Sequence, residues 1–212
     1  MGPDGIRAPY SSASDWTTSC QLCQNEDDGV IFDGLPLDGA YSIDLDRHLD
    51  ERGSFSRIFC ESEFAAVGLP VRFPQANIST NVHAGTLRGL HYNRGDDAEA
   101  KVVRCIRGAL FDVIVDLREG SPTRLQWFGA ELSADNGRAL FVPAGFAHGF
   151  VTLQPTTDVL YLMSESYRPD AARGIRWDDA AVAVQWPVPP VVISERDATY
   201  PAIDPATFSS AT

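Results

Sequence analysis

Phe111-Asp112-Val113-Ile114-Val115-Asp116-Leu117 is the stretch on which the fold class turns. Phe111, Val113, Val115 and Leu117 alternate with Asp112, Ile114 and Asp116, a period of two that predicts a β-strand with one apolar face. Moving outward, short apolar runs recur at residues 102–106, 139–142, 150–153 and 159–163. Turn-forming residues separate them: Arg107-Gly108, Gly120-Ser121-Pro122, Asp135-Asn136-Gly137, Pro143-Ala144-Gly145 and Gln154-Pro155. Many short strands at even spacing predict a mainly β protein, an antiparallel sandwich or jelly roll. Helical pattern is scarce. Residues 61–66 form the best helical turn, and 171–173 or 178–182 are expected to form short helices.

The chain has 212 residues, enough to bury a full core in one large β-domain. Residues 1–28 are rich in Ser, Pro, Gly, Asp and Thr without periodicity and read as a flexible N-terminal tail, leaving 29–212 as the folded domain. A net charge of −12 argues against nucleic acid or an anionic membrane as partner. It leaves room for a small anion held by a few focused cations. No apolar run approaches the roughly 18 residues of a membrane span. The N-terminus lacks the basic-then-apolar order of a secretory signal, so a cytoplasmic protein is expected. Cys60 and Cys105 lie in apolar, strand-like runs and read as small buried hydrophobes. Cys20 and Cys23 have the spacing of half a zinc site, but no second ligand pair follows, so they read as part of the tail.

Of 17 strongly basic residues only Lys101 is a lysine. Lysine supplies a compact ammonium where arginine supplies a planar fork, so a single lysine among arginines marks a place where the two are not interchangeable. It follows His91 by ten residues, which pairs a candidate base with a candidate charge stabiliser. A lone histidine on a strand is commonly a satisfied core residue. Here Arg88, Arg94, Lys101 and Arg104 crowd the same segment of an otherwise acidic chain, and such cations repel one another unless an anion sits among them. A phosphate-bearing ligand fits. His91 is followed by Tyr92 and Asn93, with no second histidine at i+2, so no metal is expected and the chemistry is metal-free acid–base work. His148 follows a Pro-Gly turn and is either structural or pocket-lining. Tyr161 shares a strand face with Val159 and Met163, so a buried phenol that needs one partner is expected.

Taken together, Asp50-Glu51-Arg52-Gly53, Leu87 to Tyr92, Lys101 to Arg104, Phe111-Asp112-Val113, Gly120-Ser121-Pro122-Thr123, Pro143 to Phe150, Tyr161, Arg173-Gly174-Ile175-Arg176-Trp177 and Ser194-Glu195-Arg196-Asp197 resemble the dTDP-4-dehydrorhamnose 3,5-epimerase family across about residues 33–204. The resemblance implies a cupin-type double-stranded β-helix, with a few short helices, that works without cofactor or metal. It implies an epimerase inverting C3, C5 or both of a dTDP-4-keto-6-deoxyhexose in deoxysugar biosynthesis. His91 would be the general base, Asp197 would orient its ring, Lys101 would stabilise the enolate, and Tyr161 would return a proton on the far face. Arg52 and Arg88 would hold the diphosphate with Gln75 and Asn77 nearby, and His148 would lie close to the site. The family also implies a homodimer in which an N-terminal strand crosses over, so that Arg52 serves the neighbouring pocket.

Three positions depart from the family pattern. Ser54 and Ser166 stand where many members have aromatics, and Arg57 stands where some have a glutamate that contacts the base. Losing a stacking platform costs about 1–3 kcal/mol unless another ring replaces it, and Phe55 and Phe59 are the candidates. Two other readings stand beside the epimerase. One is a cupin that moves the ketone between C3 and C4. The other is a non-catalytic sugar-nucleotide-binding cupin, which predicts a broken catalytic set.

Overall fold

The computed structural model describes residues 29–206 and residue 208; the tail over 1–28, with Cys20 and Cys23, lies outside the described residues. Two antiparallel-paired sheets face each other. The first contains β1 (Val30–Gly34), β2 (Tyr41–Leu45), β5 (Gln75–Asn81), β7 (Lys101–Arg107), β10 (Ala139–Val142) and β12 (Thr157–Met163), in the order β1-β2-β10-β7-β12-β5. The second contains β6 (Thr86–Asn93), β8 (Ala109–Asp116), β9 (Trp127–Ser133), β11 (Phe146–Thr152) and β13 (Ala172–Gly174), in the order β13-β6-β11-β8-β9, with β14 (Val192–Ile193) parallel to β6. A separate hairpin is made by β3 (His48–Asp50) and β4 (Gly53–Phe55). The helices are short: α1 (Glu61–Ala66) and α2 (Glu195–Ala198). This is the mainly β, cupin-type architecture expected.

The core has three layers, and they correct the reading of the opening stretch. Strand β8 is buried along its whole length, on both faces. Its other face, Leu110 and Ile114, packs between the sheets with Val103, Leu140, Phe150 and Val159. The face carrying Phe111, Val113 and Val115 turns outward instead, joined by Leu117 just beyond the strand, and is covered by later segments through Ile175, Val182 and Ile203. Alternation marks two different faces but does not say which one looks inward. Here the aspartate-bearing face does, and Asp112 is fully buried. The outer face of the first sheet is covered in turn by Phe64 of α1 and Leu69, with Phe59 and Phe73 packed against them.

The predicted runs fall on β7, β10, β11 and β12, and 61–66 coincides with α1. The two expected late helices are absent. Residues 172–174 instead add a strand to β6, with Gly174 opposite His91. Residues 178–182 form turns tied by Asp179, whose carboxylate accepts from the Ala181 and Ile203 amides at 2.8 and 2.7 Å. A side chain that satisfies nearby amides competes with helix formation. Cys105 is buried on β7 as expected. Cys60 is only partly buried and is the N-cap of α1 rather than part of a strand.

Candidate active site

A cavity of about 280 Å³ opens between the two sheets. His91 and His148 enter it from the second sheet, where β6 and β11 place them directly opposite each other. Lys101 and Tyr161 enter it from the first. Arg88 also lines it, and its position needs an explanation. Residues three apart on a regular strand lie on opposite faces, yet Arg88 and His91 both face the cavity. The β6–β11 register slips between the His148–His91 pair and the Phe150–Arg88 pair. Such an irregularity re-aims side chains. It needs glycine on both strands: a Cβ on Gly89 would lie 2.6 Å from Gly149 Cα, and one on Gly149 would lie 2.6 Å from the Arg88 carbonyl oxygen.

His91 is partly open to the cavity, with 40% of its side chain exposed, and its Nε2 lies 2.7 Å from Asp197 Oδ1. Asp197 sits in α2, which Ser194 caps by accepting the Asp197 amide at 3.1 Å. Its second oxygen accepts the Gly89 amide at 3.2 Å, so the residue that shifts the register also anchors the carboxylate. Burial pushes the Asp197 carboxyl up, but the bond to His91, the charge there, and the Gly89 and Ser194 contacts outweigh it and hold the group below the usual carboxylate range. Tyr200, three residues after Asp197, places its ring edge-on to His91 with centroids 6.1 Å apart.

A second histidine–carboxylate pair lies deeper. His148 Nε2 is 2.8 Å from Asp112 Oδ1, and both side chains are almost wholly buried. Burial pushes the Asp112 carboxyl up, against the opposing pull of His148 and Lys101. Asp112 Oδ2 has no hydrogen-bond partner. The His148 ring meets Tyr161 at 5.9 Å in a near-perpendicular arrangement, bridging the two sheets. Burial and the Asp112 charge push the Tyr161 phenol above its ordinary range, so it holds its proton at neutral pH.

Asn77 of β5 lines the cavity, while Gln75, on the same strand face, lies beside it and donates to Asn77 Oδ1 at 3.2 Å. Arg88, which lines the cavity, donates from Nε to Asn81 Oδ1 at 2.8 Å. Arg52 is elsewhere. It is at the tip of the β3–β4 hairpin, bonded through Nε to Asp50 Oδ2 at 2.9 Å, and is not part of this cavity within one chain. Arg104 also departs from the cation cluster. It lies on the outer face of the first sheet, in register with Ala139 and Leu160, where burial pushes its guanidinium down to about 10. Two of the four clustered cations therefore reach the cavity.

Sequence reasoning passed over Asn81, Asp112 and Tyr200, over Ser79, which lines the cavity, and over Glu99, whose carboxylate lies 3.0 Å from Lys101 Nζ. Asn81 and Ser79 were within reach, since a period of two from Gln75 and Asn77 runs through both. Tyr200 carried no signal at all.

Comparison with known proteins identifies the family. The sequence model of the family described as dTDP-4-dehydrorhamnose 3,5-epimerase matches residues 34–204. A dTDP-4-dehydrorhamnose 3,5-epimerase of Sinorhizobium fredii is 43% identical over 177 residues, covering 83% of this chain and 91% of its own. A crystal structure of the enzyme of that name from Bacillus anthracis, with TDP and PPi bound, superimposes with a TM-score of 0.80 at 39% identity, covering 82% of this chain and all of its own. ChmJ, a 3'-monoepimerase from Streptomyces bikiniensis in complex with dTDP-quinovose, gives 0.73 at 33%, covering 79% and 85%.

Proposed function

The chain belongs to the dTDP-4-dehydrorhamnose 3,5-epimerase family, and from that premise we propose how its own residues carry out the epimerisation. The protein is an isomerase of nucleotide-linked deoxysugars, acting on a dTDP-4-keto-6-deoxyhexose. The 4-keto group acidifies the neighbouring C–H bonds. His91 removes a proton from C3 or C5, and Asp197 keeps the ring in the tautomer whose free nitrogen faces the sugar and stabilises the imidazolium that forms. Lys101 stands at the ketone oxygen and stabilises the enolate. Tyr161 returns a proton from the other side.

The observation that carries this reading is the placement of base and acid on opposite sheets: His91 on β6, with Asp197 2.7 Å behind it, faces across one cavity toward the still-protonated Tyr161 on β12. Inversion requires a proton to leave one face of the carbon and arrive on the other. A ketone shift between C3 and C4 does not. The complete set of four also speaks against a non-catalytic binding protein. Arg88, held by Asn81, meets the diphosphate, with Gln75 and Asn77 beside it, and His148 borders the sugar.

We further assign a homodimer with an exchanged N-terminal hairpin. The β3–β4 hairpin pairs with neither main sheet and exposes Leu49 (77%) and Phe55 (74%), and Arg52 at its tip has no cavity of its own to enter. In the partner's pocket it would meet the diphosphate. The cytoplasmic location expected from the sequence remains part of this proposal; among the described residues no helix is long and apolar enough to cross a membrane.

The test is product analysis by proton NMR with dTDP-4-keto-6-deoxyglucose. A 4-keto product inverted at C3, C5 or both is expected. A 3-keto product would replace the epimerase with the ketone-shifting reading, and unchanged substrate would favour the binding protein.

A further inference from the structure

Lys101 does not stand alone in the cavity wall. Its Nζ lies 3.0 Å from Glu99 Oε1, and the two side chains are 9% and 8% exposed. Residues two apart on an extended chain point to the same side, so Glu99, just ahead of β7, follows Lys101 onto the inner face. The segment between them is clamped: the Ala100 amide donates to Ser164 Oγ at 2.8 Å, and the Ser164 amide donates back to the Ala100 carbonyl at 2.9 Å. The backbone between Glu99 and Lys101 is thereby tied to Ser164, just beyond β12.

A buried ammonium loses its hydration and needs a counter-charge to remain charged and in one place. Asp112 is the other acid acting on this region, but its Oδ1 is engaged by His148 and its Oδ2 has no hydrogen-bond partner. It therefore acts on Lys101 through charge alone, whereas Glu99 is in direct contact. We infer that Glu99 is a positioning residue for the epimerisation: it holds the Lys101 ammonium in one place in the cavity wall, where the enolate oxygen develops. The inference rests on the enolate role given to Lys101 above. It adds that the lysine alone is insufficient, because a four-carbon side chain has many rotamers and an oxyanion contact must be in place before charge develops. Glu99 never touches the substrate; its effect falls on the transition state and leaves binding alone.

Two readouts test this. The chain contains one lysine, so lysine-selective 15N labelling gives a single side-chain ammonium signal. In the full-length protein at neutral pH the Lys101 ammonium protons are expected to exchange slowly enough to be seen, and in Glu99→Gln that signal should broaden or vanish. In parallel, Glu99→Gln should lower kcat about tenfold with KM within about twofold, and Glu99→Asp should recover part of the loss. An ammonium signal that is unaltered by Glu99→Gln overturns the inference, as does a loss confined to KM or one that Glu99→Asp does not relieve. Lys101→Ala separates the two claims. If it retains full kcat, the enolate role of Lys101 fails, while the ammonium spectrum still reports whether Glu99 holds it.

Discussion

Asp197 and Asp112 each hold a histidine, and burial wins in only one of them. Asp197 is held below the ordinary carboxylate range because His91, Gly89 and Ser194 together exceed the cost of its burial. Such a group contributes stability that is fully present above its unfolded value near 3.9, and that stability is lost as pH falls through the lower folded value. Asp197→Asn is therefore expected to cost about 2 kcal/mol at neutral pH. In thermal unfolding the gap to wild type should close on acidification below about pH 4. A gap that stays constant down to pH 2 would mean that Asp197 stabilises through packing alone. The same variant should lose most of its activity at neutral pH, since the His91 tautomer is no longer set.

At the scale of elements, the slip between β6 and β11 assembles the site. It lets Arg88 and His91 share a face, and Gly89 and Gly149 permit it by close backbone approach. In Gly149→Ala the new Cβ would meet the Arg88 carbonyl oxygen at 2.6 Å and Gly89 Cα at 2.9 Å, both backbone, beside the Leu90 side chain at 2.9 Å. The substitution should destabilise the fold by about 1–3 kcal/mol and abolish turnover even at temperatures where the protein remains folded. Full activity in that variant would show that the slip does not matter. This is also where sequence reading ran out. Helix α1 and the strands β7, β10 and β12 were legible because apolar runs between Gly- and Pro-bearing turns are local signals. The inward direction of β8 was not, because both its faces are buried and only the rest of the fold decides between them. That His91 lines a cavity was legible from its cationic neighbourhood and the family's motifs. The register slip that makes room for it depends on two glycines 60 residues apart, and nothing local connects them.

At the scale of the molecule, an edge and an arm are left over. Strand β5 ends the first sheet with Ile78 exposed, and Val82 just beyond it, while the β3–β4 hairpin stands apart with Leu49 and Phe55 exposed. Exposed edges and apolar arms are hazards for a monomer, and the proposed dimer would cover both. Sedimentation should give a dimer, and Leu49→Asp with Phe55→Asp should shift it toward monomer and raise KM for the nucleotide sugar as Arg52 leaves the partner's pocket. A monomeric wild type with the same KM would contradict this arrangement. The central claim is that base and acid serve opposite faces of one carbon. Its most direct test is proton NMR in D2O with dTDP-4-keto-6-deoxyglucose, comparing wild type, His91→Ala and Tyr161→Phe. Wild type should carry deuterium into the inverted product, His91→Ala should show no exchange, and Tyr161→Phe should exchange without inverting. Exchange that persists in His91→Ala, or inversion that persists at the wild-type rate in Tyr161→Phe, would contradict it.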